Sequence, residues 1–125
     1  MRKPKVLLID DEPQIRQLIS LALGPQYDII EAGDGAAGVS AAQEWQPDLI
    51  LLDLRMPGLD GLAVLRKLKA HERTAGVPVI IVSALGDTET LMEGQRSGAA
   101  DHLIKPFDVN ELRRVVHRQL PAAGD

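Results

Sequence analysis

The chain alternates between short apolar runs and longer segments with helical periodicity. Runs rich in valine, isoleucine and leucine occur at residues 6–9, 27–31, 49–52, 77–82 and 102–104. Several are apolar at consecutive positions, which is typical of parallel strands covered on both faces. The runs therefore predict five strands of a buried sheet.

The segments between these runs predict helices. After Pro13, the apolar residues Ile15, Leu18, Ile19 and Ala22 follow the spacing that places an apolar stripe on one face of a first helix. Weaker signals predict three more helices: an alanine-rich one over residues 37–45, one after the Pro57-Gly58 turn that carries Leu62, Leu65 and Leu68, and one over roughly residues 87–97 that Gly98 ends.

The last helix has the clearest start. Asp108 is placed to cap it with Glu111 as the partner three residues on, and Phe107 and Leu112 stand where a hydrophobic staple would form. The residues expected on its buried face are Leu112, Val115 and Val116.

Strands that alternate with helices at this spacing predict an α/β fold with right-handed crossovers. Five such units favour the flavodoxin-like doubly wound form, a five-stranded parallel sheet of order 2-1-3-4-5 with helices on both faces. Ligands of such folds bind at the carboxyl ends of the strands, where the winding direction reverses. We expect one domain over residues 1–120, and a flexible tail or the start of a linker at 121–125.

The composition and charge of the chain exclude several classes of function. The chain has 125 residues, no cysteine and a formal net charge of −4. The acidic balance argues against direct nucleic-acid binding and against docking on an anionic membrane. The lack of cysteine excludes disulfides and thiolate chemistry, and the three histidines are too scattered to indicate a zinc site. No apolar run reaches the ~18–20 residues that span a bilayer, so a cytoplasmic domain is expected.

Acidic residues stand where the binding crevice is expected. Asp10 and Asp11 follow the first predicted strand, and Asp53 follows the third. Since like charges close together raise one another's pKa or recruit a cation, an all-oxygen cluster favours Mg²⁺, with Mn²⁺ as the alternative. A structural role remains open for each residue taken singly, because aspartates after strands often cap the next helix and Asp11 precedes Pro13.

The other strand ends supply a hydroxyl and an ammonium group. The fourth predicted strand runs out at Ser83 and Ala84, and the fifth at Lys105 before Pro106. An ordinary solvated lysine is the simplest alternative for Lys105. The five polar side chains together nevertheless favour a functional site over separate structural roles.

Four segments in order resemble the receiver domain of bacterial two-component response regulators, the family that includes the chemotaxis response regulator. They are residues 6–12 (VLLIDDE), 47–61 (PDLILLDLRMPGLDG), 79–84 (VIIVSA) and 100–107 (ADHLIKPF). Each motif is moderately specific, whereas four in order with this spacing are strongly so.

The resemblance implies a phosphoacceptor switch. Asp53 would accept a phosphoryl group from the phosphohistidine of a sensor histidine kinase or a histidine phosphotransfer protein. Asp11, Asp53 and the backbone carbonyl of Arg55 would bind Mg²⁺ directly, and Asp10 would act through a coordinated water. Lys105 would pair with the phosphoryl oxygens.

The remaining roles also follow from the resemblance. Ser83 would donate its hydroxyl to the phosphoryl group, Ala84 would lie beside it at the same strand end, and the Lys105–Pro106 bond would be cis. Family members pair the hydroxyl with an aromatic residue three positions before the lysine, a position that His102 occupies here. His102 can therefore act as a pH-sensitive switch residue or as a half-exposed strand residue without a switching role.

Two further positions are expected to tune the lifetime of the phosphoryl group. Arg55 lies two residues after Asp53, and Leu85 lies two residues after Ser83. Leu85 offers no group to orient an attacking water, so a long-lived phosphoryl group is expected. Either side chain could instead simply lie in solvent.

The expected output is a conformational change at helix 4, strand 5 and helix 5 that controls an effector domain or a target protein. In the family this face serves docking or dimerisation, which makes a phosphorylation-linked homodimer one expectation. Its charged residues are equally well explained as a solvated face; they are Glu93, Arg96, Arg113 and Arg114. A stand-alone receiver and a fragment of a larger regulator both remain open.

Other functions on the same fold fit less well. A pseudo-receiver would be expected to lack part of the acid, hydroxyl and lysine set, which is intact here. A flavodoxin needs a phosphate loop rich in serine, threonine and glycine after the first strand, and a haloacid-dehalogenase-like phosphatase needs a second aspartate where Glu12 stands. The receiver is not an enzyme in the usual sense, since it catalyses only its own phosphorylation and dephosphorylation.

Overall fold

The computed structural model of the chain describes residues 2–56 and 59–120, except for the side chain of Leu59. The turn predicted at Pro57-Gly58 and the tail predicted at 121–125 lie outside the described residues. No helix in the described ranges is both long and apolar enough to cross a membrane.

The described residues form seven strands and five helices. The strands are β1 (Lys5–Ile9), β2 (Asp28–Ala32), β3 (Leu49–Asp53), β4 (Arg55–Met56), β5 (Leu59–Asp60), β6 (Val79–Ala84) and β7 (Asp101–Lys105). The helices are α1 (Pro13–Leu23), α2 (Gly35–Trp45), α3 (Gly61–Ala70), α4 (Thr88–Arg96) and α5 (Val109–Gln119).

The five long strands form one parallel sheet in the order β2-β1-β3-β6-β7. Because β6 and β7 are the fourth and fifth predicted strands, this is the predicted order, and the flavodoxin-like fold is confirmed. The pattern did not predict β4 and β5, a two-residue antiparallel pair directly after β3. Strands this short carry no periodic signal.

The fourth predicted strand is shifted by two residues. Val77 was expected to begin it, but its amide donates to the Thr74 carbonyl and its carbonyl accepts from the Lys69 ammonium group. These bonds hold Val77 in the preceding turn. At the other end, pairing with β7 carries the strand through Ser83 and Ala84.

Alternate residues of the central strands face two separate cores. Val6 and Leu8 pack with α1 and α5 on one side of the sheet, whereas Leu7 and Ile9 pack with α2 and α3 on the other. The predicted buried face of α5 is confirmed at Leu112, Val115 and Val116. The predicted stripe of α1 is wrong at Leu18, which is 45% exposed because Ile19, Ala22 and Leu23 form the buried face instead.

Aspartates cap three of the helices. Asp34, Asp60 and Asp108 each accept a hydrogen bond from an amide in the first turn of α2, α3 and α5. The predicted cap of α5 is therefore confirmed. The capping alternative for Asp11 is wrong, because Glu12 is the N-cap residue of α1 and the helix begins with Pro13.

Candidate functional site

The topology brings the ends of β1 and β3 together. These strands are neighbours, with Ile9 paired to Leu52, so Asp10 and Asp53 lie side by side at the carboxyl edge. Both residues are buried, with exposed fractions of 4% and 3%. Burying two adjacent acids is unfavourable unless cations neutralise them. The structure therefore places negative charge at the carboxyl edge of the sheet, where the sequence predicts the binding crevice.

Four carboxylates meet at this edge. Asp10, Asp11, Glu12 and Asp53 each offer one oxygen, and these oxygens lie within 4.8 Å of one another. Two unit charges about 4 Å apart repel by roughly 4 kcal/mol at an effective dielectric constant near 20. The donors are all hard oxygens, and Asp11 and Glu12 are only partly buried, so the set fits Mg²⁺, which retains several waters when bound.

Lys105 supplies the positive charge within the cluster. Its ammonium nitrogen lies 3.1 Å from a carboxylate oxygen of Asp53 and 3.5 Å from oxygens of Asp10 and Glu12. Burial acts to lower the pKa of Lys105, but the three carboxylates outweigh burial and raise it. Lys105 is therefore not an ordinary solvated lysine. The Lys105–Pro106 bond is cis, as the resemblance implies.

Backbone amides orient the two buried aspartates. The Glu12 amide donates to Asp10 Oδ1 and the Arg55 amide donates to Asp53 Oδ1, both at 2.9 Å. Burial raises the pKa of Asp10, and the Asp53 charge adds to the effect, while the Glu12 amide and Lys105 oppose it. The charged form of Asp10 is consequently less favourable in the folded protein than in the unfolded chain.

The end of β6 lies beside this cluster. Ser83 is buried and follows Val82, which pairs with Asp53 in the sheet. Ser83, Ala84 and Leu85 line a cavity of about 80 Å³ under the β6–α4 loop. Leu85 is 78% exposed, so the structure leaves its side chain mostly in solvent.

His102 lies on β7 beside α4. Its Nδ1 atom is 3.3 Å from the side-chain Nε2 atom of Gln95 and 3.9 Å from Oδ1 of Asp101. The side chain is 37% exposed and is not among the residues that line the cavity next to Ser83. The ring is thus half-exposed on the surface beside α4.

The side chain of Arg55 is 68% exposed and forms an ion pair with Asp87. Its guanidinium group makes two hydrogen bonds, of 2.6 and 2.7 Å, to the carboxylate of Asp87 at the start of α4. The bond from Arg55 lowers the pKa of Asp87. The side chain of Arg55 thus links β4 to the start of α4, while its backbone amide contacts Asp53.

Two residues of the site were missed by the sequence prediction. Glu12 was noted only as a neighbour, although it joins the acid cluster and contacts Lys105. Arg16 on α1 donates to the backbone carbonyl of Asp10 and pairs with Glu31 at 3.0 Å. An arginine among the apolar positions of the first helix was the available signal, but its partners are distant in sequence.

Comparison with known proteins agrees with this geometry. The family model described as "Response regulator receiver domain" matches residues 6–117. The DNA-binding dual master transcriptional regulator RpaA of Synechocystis is 46% identical over 110 residues, which cover 87% of this chain and 46% of that protein. The chain thus spans less than half the length of this relative.

Other relatives are of similar size to this chain. Sporulation initiation phosphotransferase F of Bacillus subtilis is 34% identical over 122 residues, which cover 97% of both chains. Among solved structures, the chemotaxis response regulator CheY4 of Vibrio cholerae superposes with a TM-score of 0.88 at 29% identity, over 95% of this chain and all of that one.

Proposed function

Because the chain belongs to the family of response regulator receiver domains, we propose that it is a phosphoacceptor switch in which Asp53 takes up the phosphoryl group. The observation that carries the proposal is the meeting of Asp53, the other three carboxylates and Lys105 at one edge of the sheet. A nucleophile, a cation site and a fixed ammonium group are what phosphoryl transfer to a carboxylate requires.

The reaction follows from the positions of these groups. A carboxylate oxygen of Asp53 attacks the phosphorus of a phosphohistidine, and a new O–P bond forms as the P–N bond breaks. The donor imidazole leaves with the electron pair of that bond and takes a proton from solvent. Since the transition state spreads charge over the equatorial oxygens, this protein contributes mainly positioning and neutralisation.

Asp10, Asp11, Asp53 and the backbone carbonyl of Arg55 would hold Mg²⁺, with Mn²⁺ as a substitute, and Glu12 stands close enough to take part. The bound cation would neutralise the negative charge that the phosphoryl group brings. Lys105 is within ion-pairing distance of Asp53 and would pair with a phosphoryl oxygen. The Ser83 hydroxyl would donate a hydrogen bond to another phosphoryl oxygen. Ala84 would lie beside Ser83 at the end of β6.

The output would be a conformational change at α4, β7 and α5. A full shift from 1:99 to 99:1 requires about 5.5 kcal/mol of differential interaction. One hydrogen bond from Ser83 to a charged group contributes ~1.5–3 kcal/mol, so it cannot drive a full shift alone. We therefore propose that the unphosphorylated protein already samples the active state, with His102 moving in concert with Ser83. Relaxation dispersion that finds no exchange in α4 and β7 would contradict this.

The proposed partners are those of two-component signalling in the cytoplasm. A sensor histidine kinase or a histidine phosphotransfer protein would donate the phosphoryl group, and an effector domain or target protein would read the change. The RpaA relative is described as DNA-binding, and this chain covers less than half of that protein. We propose that this domain itself binds neither nucleic acid nor membrane. A homodimer formed on phosphorylation is a further proposal.

The experiment is incubation with acetyl phosphate and Mg²⁺, followed by intact mass measurement. We expect the mass to rise by one phosphoryl group, and the Asp53→Ala variant to gain none. The matched control is Asp34→Ala, which removes an aspartate that caps α2 and lies outside the cluster. Circular dichroism establishes that both variants are folded. A folded wild type that gains no mass would contradict the proposal and favour a pseudo-receiver.

A further inference from the structure

The start of α4 differs from the starts of three other helices. Asp34, Asp60 and Asp108 precede α2, α3 and α5, and each carboxylate accepts a hydrogen bond from an amide of its helix. Asp87 precedes α4 in the same way but makes no such bond. The first turn of α4 therefore lacks the side-chain cap that an aspartate at this position ordinarily provides.

The carboxylate of Asp87 is occupied elsewhere. Both of its oxygens accept from the guanidinium group of Arg55, at 2.6 and 2.7 Å. In this orientation the carboxylate accepts from no amide of α4, and the backbone of Asp87, with ψ 47°, departs from the extended conformation of the three capping aspartates, whose ψ angles are 171°, 125° and 167°. Capping α4 therefore requires a different conformation of Asp87. The pair with Arg55 and the cap of α4 are hence alternatives.

The two residues before Asp87 leave room for its conformation to change. Gly86, just before it, has a φ of +97° and open space around the position of a Cβ atom, and Leu85 is largely exposed. Few side-chain contacts therefore restrain this short loop. The two arrangements are also of similar strength, since exposed ion pairs and helix caps each contribute modestly to stability.

Arg55 connects this alternative to the phosphorylation site. The backbone amide of Arg55 donates to the Asp53 carboxylate. The side chain of Arg55 therefore starts from a backbone position that is held next to the proposed phosphoacceptor. A phosphoryl group adds roughly −1.5 to −2 charge. Guanidinium groups bind phosphate oxygens with the same two-pronged geometry that they use with carboxylates.

We infer that Asp87 is a positioning residue of the switch: it holds Arg55 in the unphosphorylated protein, and it caps α4 once Arg55 turns to the phosphoryl group. The trigger in this inference, phosphorylation of Asp53, rests on the proposed function. The two alternative partners of Asp87, Arg55 and the first turn of α4, do not depend on it. This switch gives α4 a direct connection to Asp53 that involves neither Ser83 nor His102.

The first arm of the test needs no phosphorylation. Amide hydrogen exchange is measured by NMR in the unphosphorylated wild type and in Arg55→Met, which keeps the backbone and frees Asp87. We expect exchange at the amides of Glu89 and Thr90 to slow by about fivefold, as a gained cap would cause. The Ala37 amide, which Asp34 already caps, serves as an internal reference and should not change.

Two further variants make this arm decisive. Arg66→Met is the matched control, because Arg66 also pairs with a carboxylate on α4, that of Glu93 at 3.2 Å, but away from the helix start. It should leave the Glu89 and Thr90 amides unchanged. Adding Asp87→Ala to Arg55→Met should abolish the gain. Equal exchange in the wild type and Arg55→Met, or a gain that survives Asp87→Ala, would overturn the inference.

The second arm tests the trigger with acetyl phosphate and Mg²⁺. In the phosphorylated wild type, the same two amides should slow to the level of Arg55→Met. If the protein takes up the phosphoryl group and these amides do not change, the inference is wrong while the proposed function stands. If it takes up none, the proposed function and the trigger fail together, and the first arm alone decides whether cap and ion pair are alternatives.

Discussion

Folding shifts the pKa values of Asp10 and Asp48 in opposite directions. Burial raises the pKa of Asp10, so its charged form destabilises the folded state. At Asp48 burial also acts to raise the pKa, but hydrogen bonds from Arg2 and from the Lys5 amide outweigh burial and lower it. The two residues should therefore contribute opposite pH dependences to stability.

Asp10→Asn should stabilise the protein at pH 7 in the absence of divalent ions. The contribution of Asp10 to the free energy of unfolding falls as pH rises from its unfolded pKa near 3.9 through the raised folded pKa, and the penalty persists above it. Removing the charge should raise this free energy by about 1 kcal/mol. Urea denaturation at pH 7 measures the change, and a less stable Asp10→Asn would contradict the assignment.

Asp48→Asn is the matched control and should destabilise at pH 7. The contribution of Asp48 is present above its unfolded pKa and is lost as pH falls through the lowered folded value. The expected loss is below about 1 kcal/mol, because the Arg2 partner is largely exposed. The deficit relative to the wild type should shrink in acid, which a urea series from pH 3 to pH 7 measures.

Leu85→Glu should shorten the lifetime of the phosphoryl group. Leu85 is exposed beside Ser83 and offers no polar group, whereas a glutamate there could orient an attacking water. Loss of phosphate after removal of acetyl phosphate is followed by intact mass. Leu85→Gln separates charge from polarity. Slower loss from Leu85→Glu than from the wild type would contradict this role for Leu85.

At the scale of elements, the start of α3 lies close to the backbone that follows Asp53 at the end of β3. Gly61 begins α3, and a Cβ atom there would lie 2.7 Å from the carbonyl oxygen of Leu54, the residue after Asp53. Because the neighbour is backbone, it cannot move aside without moving the site. Gly76, by contrast, has no atom within 4 Å of such a Cβ.

Gly61→Ala should therefore lower the free energy of unfolding by about 3 kcal/mol, the upper part of the range for overpacking. Gly76→Ala, as control, should change it by no more than about 0.5 kcal/mol. Urea denaturation compares the two. If they differ by less than the error of that measurement, the close approach of α3 does not constrain the end of β3.

The elements themselves were largely predictable because their signals are local. Consecutive apolar residues predict a strand such as β3, and Asp108 with Glu111 predicts the start of α5. The prediction failed where a distant contact decides. Lys69, which lies outside the predicted strand, holds Val77 in a turn.

At the scale of the whole molecule, the acid cluster joins elements that are far apart in sequence. The loop after β1, the end of β3 and the end of β7 contribute to one site. A cation bound there would stabilise only the folded chain, since the unfolded chain does not gather these groups. We therefore expect metal binding to increase the stability of the entire domain.

Mg²⁺ should raise the free energy of unfolding, by about 2.7 kcal/mol at a concentration of one hundred times the dissociation constant. Thermal denaturation with and without MgCl₂, at ionic strength matched with NaCl, measures this. Asp10→Asn should reduce the gain, whereas Asp101→Asn, outside the cluster, should not. A gain that is equal in all three proteins would mean that Mg²⁺ acts elsewhere.

The sequence by itself determined the alternation of elements, the order of the sheet, and that Asp10, Asp53 and Lys105 would meet at its edge. These follow from local periodicity and from the geometry of parallel sheets, which place all carboxyl ends together. Only the tertiary structure decided that Glu12 joins the cluster, that Arg16 holds the Asp10 carbonyl, and that Arg55 pairs with Asp87. Those contacts depend on side-chain direction and on loops between distant segments, and local pattern carries no information about either.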